Sequence, residues 1–117
     1  MKTISGYEAL KRMRAMRHDE GSFFIMHHLT WNEIRKQTDG MRIVRRCRLR
    51  QSLPHESMKP HPDLLQPYTD LNLPKKDRNR MCRKRLIRYV AFSPEYELLK
   101  VDWLNLEKDG AIQVLNE

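Results

Sequence analysis

The sequence predicts an α+β fold, in which an N-terminal helix packs on a small antiparallel sheet or open barrel. Three observations predict it. A capping pattern opens a helix near the N-terminus, apolar and basic residues alternate along residues 41–50, and a nearly continuous apolar run covers residues 86–92. A chain of 117 residues suits a single domain, residues 1–117, and is long enough to bury one core.

The first predicted element is a helix that begins after Ser5 and runs to about Arg17. Ser5 and Glu8 form a capping box, in which the Ser5 hydroxyl accepts from the Glu8 amide and the Glu8 carboxylate reaches back to the Ser5 amide. Apolar residues then recur at three- and four-residue steps, as an amphipathic helix requires. They include Ala9, Leu10, Met13 and Met16.

The second predicted element is a strand over residues 22–29, SFFIMHHL, which is rich in aromatic and β-branched residues. His27 and His28 are adjacent, so a strand directs them to opposite faces and prevents them from chelating one metal ion. We expect one of them to be half-buried and hydrogen-bonded and the other to be exposed.

Two local patterns predict the connection to the next strand. Thr30-Trp31-Asn32-Glu33 has the form of a capping box and predicts a short helical turn. Asp39-Gly40 is a turn-forming pair, which predicts that the chain reverses there.

Basic and apolar residues alternate along residues 41–50, which favours a strand over a helix. One face carries four apolar residues that we expect in the core: Met41, Ile43, Cys47 and Leu49. The other face carries a row of arginines: Arg42, Arg46, Arg48 and Arg50. Arg45 falls on the apolar face. It must find a partner, lie at a sheet edge or mark a β-bulge, because an unpaired buried guanidinium is too costly.

Prolines dominate the next segment. Five of the six in the chain lie within residues 52–80, namely Pro54, Pro60, Pro62, Pro67 and Pro74. This density argues against a central strand or a long helix, because proline lacks the amide donor that both require. Apolar residues such as Leu65 and Tyr68 argue against pure disorder. Residues 52–80 are therefore predicted to be an extended Pro-rich loop or arm that packs on its own domain or on a neighbouring subunit.

A basic cluster, Arg83-Lys84-Arg85, leads into the apolar run of residues 86–92, LIRYVAF. We interpret this run as a central strand that is buried on both faces apart from Arg88. Its expected core residues are Leu86, Ile87, Val90 and Phe92.

Two interpretations compete for the C-terminal segment. In the first, residues 93–99 form a helical turn capped by Ser93, and residues 101–106 and 111–115 form two strands joined at Asp109-Gly110. In the second, one longer helix covers residues 94–106, since its apolar residues also fit helical spacing.

The charge balance points to anionic partners. The net charge is +8, and it is uneven: residues 1–92 hold 21 of the 23 basic and 9 of the 15 acidic groups, a net charge of +12, which leaves −4 on residues 93–117. Such a field favours nucleic acid, an anionic membrane or an acidic protein surface. The sequence has no apolar run long enough to span a bilayer and no signal-peptide core, so we expect no membrane partner and a reducing compartment.

No motif indicates catalysis. The chain has only four glycines, and it lacks a phosphate-binding loop, a CxxC pair and a nucleophile elbow. Cys47 and Cys82 are best explained as small buried residues. We therefore expect no catalytic residues, no cofactor and no metal site.

Several segments together resemble a set of small, largely uncharacterised proteins from phage-like and mobile-element genomes of gut bacteria. They are KTISGYEALKRMRAM, GSFFIMHHLT, GMRIVRRCRLR, DLLQPYTDL and the basic cluster before LIRYVAF. The resemblance covers roughly residues 2–92, and the Pro-rich residues 54–67 depart from it. It implies a virion or mobile-element component, such as an adaptor in the head, connector or tail, located in the virion or in the bacterial cytoplasm.

Two functions from different classes follow. The first is a non-enzymatic structural adaptor that docks on the subunits of an oligomeric assembly through a basic face and the arm. The alternative is a small nucleic-acid-binding module without sequence-specific readout, although no aromatic residues interleave with the arginine row to stack bases. Both use the same expected anion-binding residues: Arg42, Arg46, Arg48, Arg50, Arg83, Lys84 and Arg85. The arginine row can also be explained as a solvated strand face that has no partner.

Overall fold

A computed structural model describes residues 1–19, 21–32, 34–50 and 65–103. Within these ranges the chain forms one α-helix, α1 (Gly6–Ala15), and seven strands. The strands are β1 (Thr3–Ser5), β2 (Phe24–Asn32), β3 (Gln37–Leu49), β4 (Leu65–Asp70), β5 (Asn79–Arg83), β6 (Ile87–Ala91) and β7 (Leu99–Asp102). Short 3-10 helices cover Met16–His18, Lys75–Asp77 and Lys84–Leu86.

The strands form one mixed sheet in the order β1-β7-β6-β2-β3-β4-β5. Every neighbouring pair is antiparallel except β1 and β7, which run parallel. The α+β prediction is confirmed, but the sheet is not purely antiparallel. The parallel pair places β1 at one edge of the sheet, beside β7.

Helix α1 begins as the capping pattern predicts. The Ser5 hydroxyl accepts from the Glu8 amide at 3.1 Å, which satisfies one of the free amides of the first turn. The helix ends at Ala15, slightly before the predicted Arg17, and continues as the 3-10 turn Met16–His18. Its buried residues pack against the sheet: Ala9, Leu10 and Met13.

The hairpin between β2 and β3 corrects two predictions. The helical turn predicted to follow Thr30 does not begin there, because residues 30–32 belong to β2, and a single turn follows Asn32 instead, whose carbonyl accepts from the Lys36 amide at 2.8 Å. The chain reverses at residues 34–36, where the Asn32 side-chain oxygen accepts from the amides of Ile34 and Arg35 at 3.0 Å. Asp39-Gly40 lies inside β3 rather than in the turn. Gly40 has a φ of 116° at a register shift between β2 and β3, so it serves a bulge, where glycine adopts this conformation without strain.

A second register shift decides which side chains of β3 are buried. Met26 pairs with Val44 and Phe24 pairs with Cys47, so one residue of β2 opposes Arg45 and Arg46 together. This is the β-bulge that was one of the options for Arg45. Before the bulge the alternation is reversed from the predicted one, and Met41 and Ile43 are 44% and 48% exposed instead of lying in the core. Cys47 and Leu49, beyond the bulge, are buried as predicted.

Much of the predicted arm is regular sheet. β4 pairs with both β3 and β5, so residues 65–70 and 79–83 belong to the sheet, and residues 52–64 lie outside the described ranges. Proline is tolerated in β4 because Pro67 lies just past the terminal β3–β4 pair, Leu49 with Tyr68. Its carbonyl still accepts from the Arg50 amide at 3.1 Å, so only one ladder bond is lost.

The central strand near residue 90 is confirmed. β6 lies between β2 and β7, and Ile87, Val90 and Phe92 are buried, whereas Leu86 is only half-buried. The predicted helical turn at residues 93–99 is wrong: the segment holds a turn at residues 93–96, with a cis Ser93-Pro94 bond, and β7 begins at Leu99. The competing helix over residues 94–106 is also excluded as far as residue 102. Residues 104–117, including the predicted Asp109-Gly110 turn, lie outside the described ranges.

The core lies between α1 and the face of the sheet that α1 covers. Phe24 and Phe92 meet there with ring centroids 5.9 Å apart. We call this side of the sheet the inner face and the opposite side the outer face. Across the part of the chain that is described, no helix has the length and apolar character to cross a bilayer.

Candidate functional site

The inner face continues beyond the area covered by α1 as a polar cleft of about 420 Å³. Four consecutive strands of the sheet, β2 to β5, contribute to it. The pairings His28 with Arg42 and Tyr68 with Arg80 place these four side chains on the inner face. The sheet curls enough that β5 approaches β2, although β3 and β4 separate them in the strand order. The cleft is therefore a product of this curl.

His28 and Tyr68 form the floor of the cleft. His28 Nε2 lies 3.1 Å from the Tyr68 hydroxyl, and Nδ1 lies 3.3 Å from the Leu29 carbonyl oxygen. A carbonyl can only accept, so Nδ1 carries the proton in the neutral ring, and the Tyr68 hydroxyl donates to Nε2. Both ring nitrogens of His28 are thereby engaged.

The surroundings favour the neutral forms of both rings. Burial lowers the pKa of His28, the charges of Arg42 and Arg80 lower it further, and the hydrogen bond to the Leu29 carbonyl opposes them. Burial also raises the pKa of Tyr68, so its hydroxyl keeps its proton. The cleft floor is therefore uncharged, and its charge comes from arginine.

Arg42 and Arg80 make the cleft electropositive. Neither forms an ion pair within the described ranges, and no carboxylate lies among the lining residues described. Two donors of lining residues are also buried without a hydrogen-bond partner among the described residues: the Arg80 Nε–H and the Trp31 indole N–H. Buried donors normally have an acceptor, because leaving one unsatisfied costs about 1–3 kcal/mol. The cleft therefore offers positive charge and free donors to an acceptor.

Trp31 and Arg83 form the rim of the cleft. The Arg83 guanidinium lies over the Trp31 ring at 4.7 Å from its centroid. On the rim a smaller hollow of about 160 Å³ adjoins the cleft, because both cavities share these two residues. Leu86 and Arg85 complete its lining.

The outer face carries a different surface on the β2–β3 hairpin. We name it the hairpin face and define it by Leu29, Met41, Ile43, Arg45 and Arg46. Leu29 pairs with Met41, so their side chains share this face, and Arg45 and Arg46 are exposed at the bulge. Ile34, at the hairpin tip, is 95% exposed.

The predicted arginine row is divided between the two faces. Arg42 lines the inner cleft, and Arg46 lies over the Phe23 ring at 5.2 Å. Arg48 donates to the Ser22 carbonyl, and Arg50 donates to the carbonyls of Tyr68 and Arg80. Arg48 and Arg50 therefore link neighbouring segments of backbone. The structure brings none of the other three into the cleft with Arg42.

The predicted basic cluster at residues 83–85 is divided as well. Arg83 is half-buried against Trp31, Lys84 is 2% exposed, and Arg85 is exposed. These residues fall at the end of β5 and in the 3-10 turn after it, which directs successive side chains to different surroundings. They do not form one continuous basic surface.

The two cysteines are buried free thiols, as expected. Burial raises the pKa of Cys82 to about 12, and burial also raises that of Cys47. Both thiols are therefore protonated and unreactive at neutral pH. Among the described residues no group of His, Cys, Asp and Glu has the arrangement of a metal site.

Sequence reasoning missed Trp31, Tyr68 and Arg80 as residues of a common site. Tyr68 and Arg80 lie within the predicted arm, and Trp31 lies within the pattern that predicts a helical turn. β4 gives no clear signal in the sequence, because two of its buried residues, Gln66 and Asp70, are polar and the proline at residue 67 argues against a strand. Aromatic and basic residues do interleave, but only across strands, as in the Trp31–Arg83 pair.

The chain has no significant match among family models, curated proteins or solved structures.

Proposed function

We propose that the protein is a non-enzymatic adaptor that docks on a neighbouring protein subunit through the hairpin face. The observation that carries this proposal is the exposure of Met41 and Ile43, at 44% and 48%, two positions apart on the same face of β3 between its two bulges. Large apolar side chains that adjoin one another on a surface are typical of contact sites, whereas isolated ones are common everywhere.

The composition of the hairpin face supports a protein partner. An interface commonly has an apolar centre and is enriched in methionine and arginine. Met41, Ile43 and Leu29 supply the centre, and Arg45 and Arg46 stand beside it. Two exposed guanidinium groups at the edge favour a partner with carboxylates there, because the planar fork pairs with them bidentately.

The resemblance of residues 2–92 to proteins of phage-like and mobile-element genomes supports the setting. In that setting the neighbour is a subunit of the head, connector or tail, and the protein is found in the virion or, before assembly, in the bacterial cytoplasm. The engagement of both His28 ring nitrogens supports a non-enzymatic role, because neither is left to exchange a proton with a substrate.

Site-specific crosslinking tests the proposal. A photoreactive amino acid is placed at Ile43, and in a control variant at Arg85, which is exposed outside the hairpin face. In cells that produce the whole assembly, we expect one discrete protein adduct from position 43 and none of that mass from position 85. Met41→Asp, in the variant that carries the crosslinker at 43, should remove the adduct. Equal adducts from both positions, or adducts to DNA alone, would contradict the proposal.

The mass of the purified protein in dilute solution then identifies the kind of neighbour. A dimer that Ile43→Asp dissociates would make the neighbour a second copy of this chain. A monomer would make it a different subunit, which the adduct from position 43 identifies by its peptides. Because Ile43 is about half exposed, its replacement should leave the fold intact, and thermal unfolding checks this.

A further inference from the structure

We propose that the inner cleft binds a nucleotide, with the phosphate against Arg42 and Arg80 and the base in the hollow beside Trp31 and Arg83. The cleft lies on the opposite side of the sheet from the hairpin face, so this site is independent of the docking function.

The charge of the cleft selects an anion. Arg42 and Arg80 face it without an ion-pair partner among the described residues, and no carboxylate is described in its lining. Arginine is the side chain best suited to phosphate, because its planar fork can donate two parallel hydrogen bonds to two phosphate oxygens. The unpartnered Arg80 Nε–H supplies a donor of this kind.

The cavity dimensions fit a ligand with two parts. A cleft of about 420 Å³ is within the usual range for small-molecule sites, about 300–1,000 Å³. The adjoining hollow of about 160 Å³ has an aromatic ring, a leucine and two arginines in its lining, and is large enough for one flat ring. A ligand that joins a phosphate to a planar ring therefore suits both cavities.

The rim residues explain why the ring would be a nucleobase. Bases stack on aromatic side chains and on the planes of arginine guanidinium groups, and both Trp31 and Arg83 line the hollow. Because the Arg83 guanidinium already covers one face of the Trp31 ring, a base stacks on the side of this pair that lines the hollow. The buried Trp31 indole N–H has no acceptor among the described residues, and because it lies in the plane of the ring, a sugar or phosphate oxygen beside the stacked base can accept from it. A simple inorganic anion would use only the arginine part of the site.

Nuclear magnetic resonance of the indole groups tests the proposal directly. The chain has two tryptophans, so an amide-correlation spectrum shows two indole signals, and Trp31→Phe identifies the one from residue 31. The Trp103 indole already donates to the Ile87 carbonyl at 2.8 Å and should not respond. Adenosine monophosphate should shift the Trp31 signal in a saturable way. Adenosine and inorganic phosphate, added separately, should each bind at least about tenfold more weakly than adenosine monophosphate.

Substitutions distinguish binding in the cleft from nonspecific attraction to the positive charge of the protein. Arg42→Ala and Arg80→Ala should each weaken binding of adenosine monophosphate by about tenfold. Arg45→Ala, three residues from Arg42 but on the exposed bulge, should leave it within about twofold. An unchanged Trp103 indole signal in each variant shows that the fold is retained. Equal weakening by Arg45→Ala would overturn the proposal, as would the absence of any saturable Trp31 shift up to millimolar nucleotide.

A short single-stranded oligonucleotide identifies the source of the nucleotide. Tighter binding of a hexanucleotide than of the monophosphate, with the same dependence on Arg42 and Arg80, would assign the site to a nucleic-acid strand. Equal binding would assign it to a free nucleotide. Both results support nucleotide binding in the cleft. Tighter binding of the hexanucleotide that is insensitive to Arg42 and Arg80 would contradict it, because the strand would then bind elsewhere.

Discussion

His28 is held neutral by its surroundings. The ring is 4% exposed, it is hydrogen-bonded through both nitrogens, and it lies near the positive charges of Arg42 and Arg80. Each of these features except the Leu29 carbonyl disfavours the imidazolium form. The ring is therefore a fixed structural support for Tyr68 at neutral pH.

This arrangement predicts how stability depends on pH. The pKa of His28 lies below its ordinary value of 6.5 in the folded protein, so the unfolded chain binds the extra proton first. The stabilisation is complete above pH 6.5 and is lost as the pH falls through the folded pKa. In urea unfolding between about pH 7 and pH 5, above the range where most carboxylates titrate, His28→Gln should flatten the decline in unfolding free energy.

His27→Gln is the matched control for that measurement. His27 is only half-buried on the outer face, beside Tyr89, so its replacement should flatten the decline less than His28→Gln does. The same slope in the wild type and in His28→Gln would show that the ring is not held neutral.

Truncation of the Phe92 side chain tests the packing of the core. Phe92 is 5% exposed, meets Phe24, and lies under the Arg12 guanidinium at 4.1 Å. Phe92→Ala should lower the unfolding free energy by about 3–5 kcal/mol, because the cavity left behind cannot fully collapse. Leu86→Ala, at a half-buried position, should cost less. A loss below about 1 kcal/mol for Phe92→Ala would show that this ring is not part of a packed core.

At the scale of the element, the bulge in β3 controls which side chains reach each face. It lets Arg42 and Val44 share the inner face with Cys47 and Leu49, although two residues, Arg45 and Arg46, separate Val44 from Cys47. If the same residues alternated strictly, without a bulge, one half of the strand would be turned over. The bulge therefore creates both the cleft arginine and the exposed Met41 and Ile43.

Deletion of one residue should accordingly be tolerated at the bulge and damaging in the regular part of β3. Without Arg45, Arg46 lies opposite Ile25 while Val44 and Cys47 still face inward, so we expect the unfolding free energy to fall by about 1 kcal/mol or less. Deletion of Arg48 instead turns the buried Leu49 outward and should cost about 3 kcal/mol or more. Chemical denaturation of both variants gives the comparison, and equal losses in the two deletions would exclude a register-setting bulge at Arg45 and Arg46.

Helix α1 and strands β2 and β6 could be predicted because their signals in the sequence are local. A capping box, a run of aromatic and β-branched residues, and a buried apolar segment each act within about ten residues. β4 and β5 could not, since the prolines around them indicate an extended loop when read without their neighbours. Pro67 is acceptable in β4 only because of its position past the end of the β3 pairing, which is a tertiary fact.

The position of the bulge also could not be predicted from the local sequence. Arg45 interrupts the apolar face, and a bulge is one of three ways in which the fold can accommodate it. Choosing among them requires the partner strand, where Phe24 and Met26 fix the pairing. The same limit applies to the cleft, whose residues come from four strands and meet only when the sheet curls.

At the scale of the whole molecule, one curled sheet carries two surfaces of different chemistry. The inner face is divided between an apolar core under α1 and an electropositive cleft, while the outer face of the hairpin combines apolar and basic side chains. The net charge of +8 is therefore not one uniform field with one partner. Part of it lines the cleft, part stands at the hairpin face, and Arg48 and Arg50 bind backbone carbonyls.

The bulge turns Ile43 outward and Val44 inward, and the hairpin face depends on this orientation. Thiol labelling of Ile43→Cys and Val44→Cys under native conditions tests it most directly, and the native Cys47 and Cys82 give little background because both are buried with raised pKa values. The structure predicts rapid labelling at position 43 and labelling at position 44 only on unfolding. Protection at 43 with rapid labelling at 44 would contradict it, because Ile43 would then lie in the core and the hairpin face would not exist.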